Sequence, residues 1–559
     1  MQVSKAIDDC HSPVEKVFHW AEKKPASIFL RQPEADGSIR DYSWSDVAAE
    51  VAAAATGLKD LGIARGDRIA ILGGNSAHWL MADLAIQLAG GTSLPIYTSM
   101  SADGVRHVLE NCRPRALVLG ASPNWPQVAA CFDRDCIRIG LPESPLGQCE
   151  QAWQDLSGRG GAQGPISFPA LDDWYTILQT SGSTGLPKGV VQTFRSPAVA
   201  SRDCAAAYGT GEESRFISYL PLAHAGERTL VLGCCIHGGG TLYFGRSPKD
   251  LLADIRAARP TFLLGVPRIW EMLRQAAIGA FGSGDLESAG PKAKRQVLEW
   301  LGFDSLATAI TGGAPMPPGL NRWYRNLGLE IFEAYASSEV PSAIVSTRGH
   351  CRDGSVGRAL PNVHVRIADD GEILIRSESC MLGYYGQPEA TKMALADGWV
   401  HTGDMGRLDE DGYLFITGRL KDIYKTAKGK YVAPLPIERK FAGNVHLEQV
   451  CLVGEGMVQP VLVAQPSAIV QSSDPSEVER QLGAVLDDVN RTLQAHEWIQ
   501  FILLVDREWN EANGLCTHSL KINRRNIEAA YSGVIAGLLP EVERTGSKVR
   551  WQGVGSPVR

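Results

Sequence analysis

The stretch TSGSTGLPKG, from Thr180 to Gly189, gathers the residue types that hold phosphate. The hydroxyls of Thr180, Ser181, Ser183 and Thr184 alternate with Gly182, Gly185 and Gly189. Glycine lets a backbone approach its ligand closely, and free N–H groups beside hydroxyls can wrap anionic oxygens. Lys188 adds a positive charge. The apolar run YTIL at 175–178 predicts a strand that delivers the loop. Gly-Lys-Ser/Thr is missing and Pro187 precedes the lysine, which disfavours a P-loop ATPase or kinase. An isolated Gly/Ser loop is more often a plain polar turn, so the weight falls on the strings downstream of it.

Further strings carry reactive side chains. SYLPLAHAGER, Ser218 to Arg228, places His224 in apolar company. TGGAP, Thr311 to Pro315, offers a glycine turn with Gly312, Gly313 and Ala314. EAYASSE, Glu333 to Glu339, sets an aromatic ring, a hydroxyl and a carboxylate close together at Tyr335, Ser338 and Glu339. GWVHTGDMG contains Asp404, whose two acceptor oxygens suit a vicinal diol. GRLKDIYKTAKGK, Arg419 to Lys430, is a basic run, and THSLKINRR, Thr517 to Arg525, holds Lys521. Each has a bland reading taken alone: a core histidine, a strand-to-helix turn, a loop-capping aspartate, a solvated charge run, a surface lysine.

Taken together, and over nearly the whole chain, these strings resemble the acyl-adenylate-forming superfamily of acyl-CoA synthetases, luciferases and peptide-synthetase adenylation domains. The resemblance implies ATP-dependent activation of a carboxylic acid to an acyl-adenylate with release of pyrophosphate. Thioester formation with CoA then follows, so ATP, Mg²⁺ and CoA are the implied cofactors. It implies that Thr180, Ser181, Gly182, Ser183, Thr184, Gly185 and Lys188 form a phosphate loop. His224 would lie beside the acyl pocket and the adenylate. The backbone of Gly312, Gly313 and Ala314 would run between acyl pocket and adenine, and Glu333 and Ala334 would lead into Tyr335, which stacks on adenine. Ser338 would touch phosphate, Glu339 would hold Mg²⁺, and Asp404 with Arg419 would hold the ribose. Lys421 occupies the hinge position. Lys425 falls where some members place a lysine for the second half-reaction, and Lys521 matches the catalytic lysine.

Ala336 and Ser338 stand where the family usually has Gly and Thr. Ser519-Leu520-Lys521 departs from the short-chain Ser-Gly-Lys and, with SYLPLAHAGER and GVPRIW (Gly265 to Trp270), resembles the long-chain fatty acyl-CoA synthetases. A medium- or long-chain fatty acid is the implied substrate. Transfer to a carrier-protein phosphopantetheine is the near alternative. A non-catalytic nucleotide- or fatty-acid-binding homologue is the distant one, and a luciferase-like oxygenase has no specific support.

The elements that must position these residues alternate. Ser45 is expected to cap a helix through VAAEVAAAATGLKDL that Gly62 ends. IAIL, ALVL at 116–119, FISYL at 216–220 and TFLLG at 261–265 read as strands, with helix-length segments between them. LGFDSLATAI before Thr311 reads as an apolar-ended helix, and GSGDLESAGPKAK at 282–294 as a surface loop. This predicts an α/β fold, with helix-covered parallel sheets in a large N-terminal domain over 1–418. Alternation around Asp370-Gly371 and Asp411-Gly412 predicts a small antiparallel β region over about 350–418. A hinge at 419–421 would lead to a small mobile α+β domain over 422–559, carrying strands such as VCLVG and VLVAQ.

The bulk numbers bound the remainder. A chain of 559 residues needs more than one core, and a net charge of −7 provides no basic field for nucleic acid. The N-terminal MQVSKAIDDCHSPVEKV has no apolar run of a secretory signal, and no stretch of about 18 apolar residues occurs, so no transmembrane segment is expected. Peripheral membrane contact stays compatible with this. The 12 cysteines show no metal spacing, and a reduced, cytoplasmic setting is expected.

Overall fold

Short apolar strands that alternate with helices bury both of their faces, and here they assemble into two helix-covered sheets. The computed structural model describes residues 10–133, 135–158, 166–181, 187–282, 289–467, 469–470, 473–510, 513–517 and 521–552. In the eight-stranded sheet, Arg68–Leu72 lies between Thr92–Ile96 and Ala116–Leu119, parallel to both. The thirteen-stranded sheet has a parallel centre in which Arg215–Ser218, Phe262–Gly265, Thr308–Gly312 and Ile331–Tyr335 run side by side. Ile69, Ile71, Ala116 and Val118 from one sheet and Phe216, Leu242 and Phe262 from the other meet in one core. The helix Ala77–Ala89 is buried along its whole length within that core.

That buried helix carries a charge inward. Asp83 accepts two hydrogen bonds from Arg228 Nη2, at 3.1 and 2.9 Å, and a third from Gln87. The Arg228 guanidinium also lies over the rings of Trp79 and Tyr175. Glu227 and Arg228, which interrupt the most apolar central stretch of the sequence, are thus interior residues.

The antiparallel region continues the larger sheet. His364–Ile367 pairs with Glu372–Arg376, and Val400–Leu408 with Tyr413–Arg419, at the Asp-Gly turns. Asp370 and Asp409 side chains accept backbone N–H groups two residues on, which closes these turns. After Arg419 the chain enters a four-stranded sheet, Leu447–Val453, Val461–Pro466, Ile502–Val505 and Val549–Gln552. Period two sorts its faces: Leu462 and Ala464 pack with helix Pro475–Arg491, Val461 and Val463 with helix Arg524–Thr545. Among the described residues no helix is long and apolar enough to cross a membrane, and all 12 cysteines are free thiols.

Three local expectations are corrected. The first long helix, Trp44–Asp60, is capped by Ser43 rather than Ser45, because Ser43 and Asp46 form a reciprocal capping box. The end of LGFDSLATAI is the central strand Thr308–Gly312, not a helix; flanking parallel strands override its local pattern. Within 282–294, residues 283–288 lie outside the described residues, but Pro291 opens a helix, Pro291–Leu301, where a loop was expected.

The parallel and antiparallel halves of the large sheet are joined through Ile344–Val345 and Gly357–Ala359. Gly357 has φ +106, and a Cβ there would lie 2.1 Å from the Val345 carbonyl carbon. Gly357→Ala is expected to destabilise the protein by roughly 2 kcal/mol or more, read as a lower denaturant midpoint at unchanged slope. An unchanged midpoint would show that this junction tolerates a side chain.

Candidate active site

Strand Trp174–Ser181 pairs antiparallel with Pro187–Thr193, setting Thr180 opposite Lys188. Thr180 Oγ1 donates to the Lys188 carbonyl at 3.4 Å. The turn between them holds Gly182, Ser183, Thr184 and Gly185, which lie outside the described residues, as does the Ser181 side chain. Lys188 Nζ lies 4.7 Å from the centre of the Tyr384 ring, and the Tyr384 hydroxyl donates to Glu339 Oε1 at 2.8 Å. One aromatic residue therefore links the loop's cation to the carboxylate at the end of EAYASSE. Gln192 Nε2 donates to the Ser338 carbonyl at 2.8 Å, which ties that segment to the loop's second strand.

The adjacent strands Thr308–Gly312 and Ile331–Tyr335 place Gly312 opposite Ala334. Gly313 comes next with φ +77, and Ala314 is exposed on the same turn. A Cβ at Gly313 would lie 3.7 Å from Lys521 Cε, so the lysine of the C-terminal domain lies against this glycine. Asp404 is held through both oxygens: Tyr335 donates its hydroxyl to Oδ2 at 2.7 Å, and Arg419 Nε donates to Oδ1 at 2.9 Å. Glu333 is part-buried, and burial pushes its carboxyl up to about 7 against the opposing pull of Arg439.

Burial lowers Lys521 to about 8; Arg419 adds to the shift, while Asp404 and Glu339 oppose it. His224 is held at about 4 by burial first and by Lys521 second, so its imidazole is neutral at pH 7. The Gly226 N–H donates to its Nδ1 at 3.1 Å. The structure thus brings His224, Gly313, Tyr335, Glu339, Asp404, Arg419 and Lys521 to one place. Lys425 is not among them. It lies exposed on the hairpin of Tyr424–Lys425 and Tyr431–Val432, with its ammonium 5.6 Å from the Tyr431 ring centre.

Two residues escaped the sequence reading. Tyr384 belongs to the string GYYG, whose only signal was an aromatic pair between glycines. Glu227 is wholly buried, and among the described residues neither carboxyl oxygen has a hydrogen-bond partner. Burial pushes it up to about 8; the Ser218 hydroxyl is close enough to oppose the shift but outside hydrogen-bond geometry. It begins the π-helical turn Glu227–Gly233, shortly after His224, and such turns gather at functional sites.

A family model described as AMP-binding enzyme matches residues 17–385, and one described as AMP-binding enzyme C-terminal domain matches residues 421–543. The long-chain-fatty-acid–CoA ligase FadD15 of Mycobacterium bovis is 29% identical, over 94% of this chain and 97% of that protein. The peroxisomal long chain acyl-CoA synthetase 7 of Arabidopsis thaliana is 28% identical, over 95% and 86%. Among solved structures, the anthranilate CoA ligase AuaEII with anthranoyl-AMP superposes with TM-score 0.80 at 20% identity, covering 96% of this chain and 100% of that one. The A domain of carboxylic acid reductase from Segniliparus rugosus with AMP gives 0.79 at 20% identity, covering 95% and 94%. These last two likenesses speak to the fold.

The lowered Lys521 has a direct readout. An amine-reactive reagent attacks only the neutral amine, so site-resolved labelling of Lys521 in the free protein should rise with a midpoint near pH 8. An ordinary lysine titrates near 10.4. A midpoint above about 10 would show that Lys521 is not held in this desolvated place.

Proposed function

The chain belongs to the AMP-binding enzyme family, and we propose that it activates a medium- or long-chain fatty acid and passes the acyl group to CoA. Adenylate-forming activation of an acid is the family-level activity, and the fatty acyl-CoA synthetases are what the chain resembles. The observation that carries the proposal is the position of Lys521, brought from a separate domain to Gly313 beside Asp404, Arg419 and Glu339.

Attack of a carboxylate on the α-phosphate of ATP brings an anion to a polyanion. The ammonium of Lys521 would bridge the carboxylate and α-phosphate oxygens as charge shifts to pyrophosphate. A donor aimed at developing charge is worth roughly 3–4 kcal/mol, or about 10²–10³ in rate. A neutral His224 beside it adds no competing cation. Lys188 and the hydroxyls of Thr180, Ser181, Ser183 and Thr184 with Gly182 and Gly185 would cradle phosphates, and Ser338 would add a hydroxyl. Asp404 already accepts from Tyr335 and Arg419, and a carboxylate's remaining lone pairs suffice for two ribose hydroxyls. Tyr335, led into by Glu333 and Ala334, would stack on the adenine, and the backbone of Gly312, Gly313 and Ala314 would run between the adenine and the acyl pocket.

Glu339 fits Mg²⁺ as a single carboxylate beside the phosphate loop. Its Oε1 takes the Tyr384 hydroxyl, and the described residues hold no cluster of three or more His, Cys, Asp or Glu ligands. Mg²⁺ commonly takes one or two carboxylates and completes its shell with phosphate and water oxygens. When bound, it would offset phosphate charge. Glu339 is the residue that would hold it.

Thiol attack on the adenylate completes the reaction. Lys425 would take part only if the small domain turned about 419–421 and presented its exposed hairpin. The second reading, a carrier-protein phosphopantetheine as acceptor, draws on the likeness to a reductase A domain. Competition between CoA and a phosphopantetheinylated carrier decides between them.

Lys521→Ala is expected to slow adenylate formation about 10²–10³-fold, while sparing thioester formation from supplied acyl-adenylate. Equal loss in both half-reactions would remove Lys521 from its assigned step. In a carboxylic-acid panel, catalytic efficiency should climb with chain length, each buried methylene adding about 0.8 kcal/mol until the pocket ends. Acetate or benzoate as the best substrate would overturn the fatty-acid reading.

A further inference from the structure

In this orientation the short helix Pro434–Glu438 packs on strand Tyr413–Arg419, and Gly443 faces Gly319. Lys521 lies against Gly313, and Arg268 approaches Glu448 to 3.7 Å, a pair exposed on both sides and weak in water. Arg439 is different. It opens the short helical turn Arg439–Phe441 of the C-terminal domain and donates from Nη1 to the Ile416 carbonyl of strand Tyr413–Arg419 at 3.0 Å. It is part-buried, its Nε is buried without a partner among the described residues, and the acidic group acting on it electrostatically is Glu333 of the N-terminal domain.

Among the described residues, its own domain supplies Arg439 with no counter-charge. The neighbouring Glu438 is fully engaged: Arg524 grips it at 2.7 and 2.9 Å, and the Leu452 N–H adds a third bond at 2.6 Å. The same fork fixes Lys521 relative to Arg439. Arg524 begins the helix Arg524–Thr545 three residues after Lys521, and it also stands 3.9 Å from Asp422 at the end of the hinge. Arg439, Glu438, Arg524 and Lys521 thus move as one body. Whatever holds Arg439 on the Ile416 carbonyl holds Lys521 in the site.

We infer that Arg439 is a positioning residue, a latch that fastens the C-terminal domain in the orientation that delivers Lys521. Release of Arg439 from the Ile416 carbonyl accompanies the passage to thioester formation. This rests on the two-step reading proposed above. A charge-assisted hydrogen bond to a carbonyl, with the electrostatic pull of Glu333 added, is strong enough to bias two orientations yet weak enough to break each cycle. Nothing in the motif strings marks Arg439; its role comes from the contacts alone.

The test is Arg439→Ala, with Arg439→Lys as the variant that keeps charge and a donor. The first readout needs no activity: the Lys521 labelling midpoint should move from near 8 towards that of an ordinary lysine in Arg439→Ala and return towards 8 in Arg439→Lys. The second is the split between half-reactions. Adenylate formation should fall about tenfold or more in Arg439→Ala, while thioester formation from supplied acyl-adenylate stays level or rises. An unchanged labelling midpoint, or equal loss in both half-reactions, would overturn the latch. A wild-type protein that forms no acyl-adenylate from any acid would instead overturn the functional reading, and the labelling shift would still judge Arg439.

Discussion

A lysine ammonium must be drawn partly out of water to sit at Gly313, and the rest of the site answers to that cost. Bringing its titration from 10.5 to about 8 corresponds to a penalty on the charged form on the order of 3 kcal/mol. Arg419 makes the position worse; Asp404 and Glu339 make it bearable. Both carboxylates are themselves held, one by Tyr335 and Arg419, the other by Tyr384. The free protein is therefore a site with one cation more than it comfortably holds. A ligand rich in phosphate relieves that excess, which makes nucleotide binding and the seating of Lys521 mutually supportive.

The sheet topology explains why these groups meet. The parallel centre of the larger sheet runs Thr308–Gly312 beside Ile331–Tyr335, so Gly313 and Tyr335 leave neighbouring strands at the same edge. The antiparallel extension folds back to place Asp404 opposite Arg419 in register. The smaller sheet contributes the Thr180–Lys188 hairpin, and Gly383–Tyr384 pairs with its outer strand. Tyr384 consequently bridges Lys188 and Glu339, residues that lie far apart in the chain. A strand end fixes a side chain more narrowly than a long loop could, because each neighbouring strand removes a degree of freedom.

Much of this was legible in the sequence, for identifiable reasons. Short apolar strands and Asp-Gly turns carry their signal locally, so the hairpins at 370–371 and 411–412 sit where alternation places them. Motif residues such as Asp404, Glu339 and Lys521 were recognisable by flanking strings. Thr308–Gly312 is a strand although its own pattern reads as helix, because its strand character comes from flanking parallel strands and not from its own period. The helix cap moved from Ser45 to Ser43 because Asp46 completes a box only with Ser43. Tyr384 and Arg439 were illegible for a different reason. Their partners lie 45 and 23 residues away, and no pattern within a window encodes such a meeting.

The interior charges show how far the fold goes to hold the region around His224. Arg228 is taken out of water entirely, and it is tolerable there because Asp83 answers it from a helix buried on all sides. Removing either partner of such a pair would leave an uncompensated buried charge, which is far more costly than exchanging the whole pair for apolar packing. Its neighbour Glu227 has no such answer and is pushed toward the neutral acid. The two residues are adjacent in the chain, at the start of a π-helical turn whose i→i+5 bonding puts more residues in each turn and so shifts successive side chains away from α-helical positions. His224, one turn earlier, is held by a backbone N–H from the same segment. The Arg228 backbone N–H donates to the His224 carbonyl, so the neutral imidazole beside Lys521 is joined by one backbone bond to the residue that pairs with Asp83.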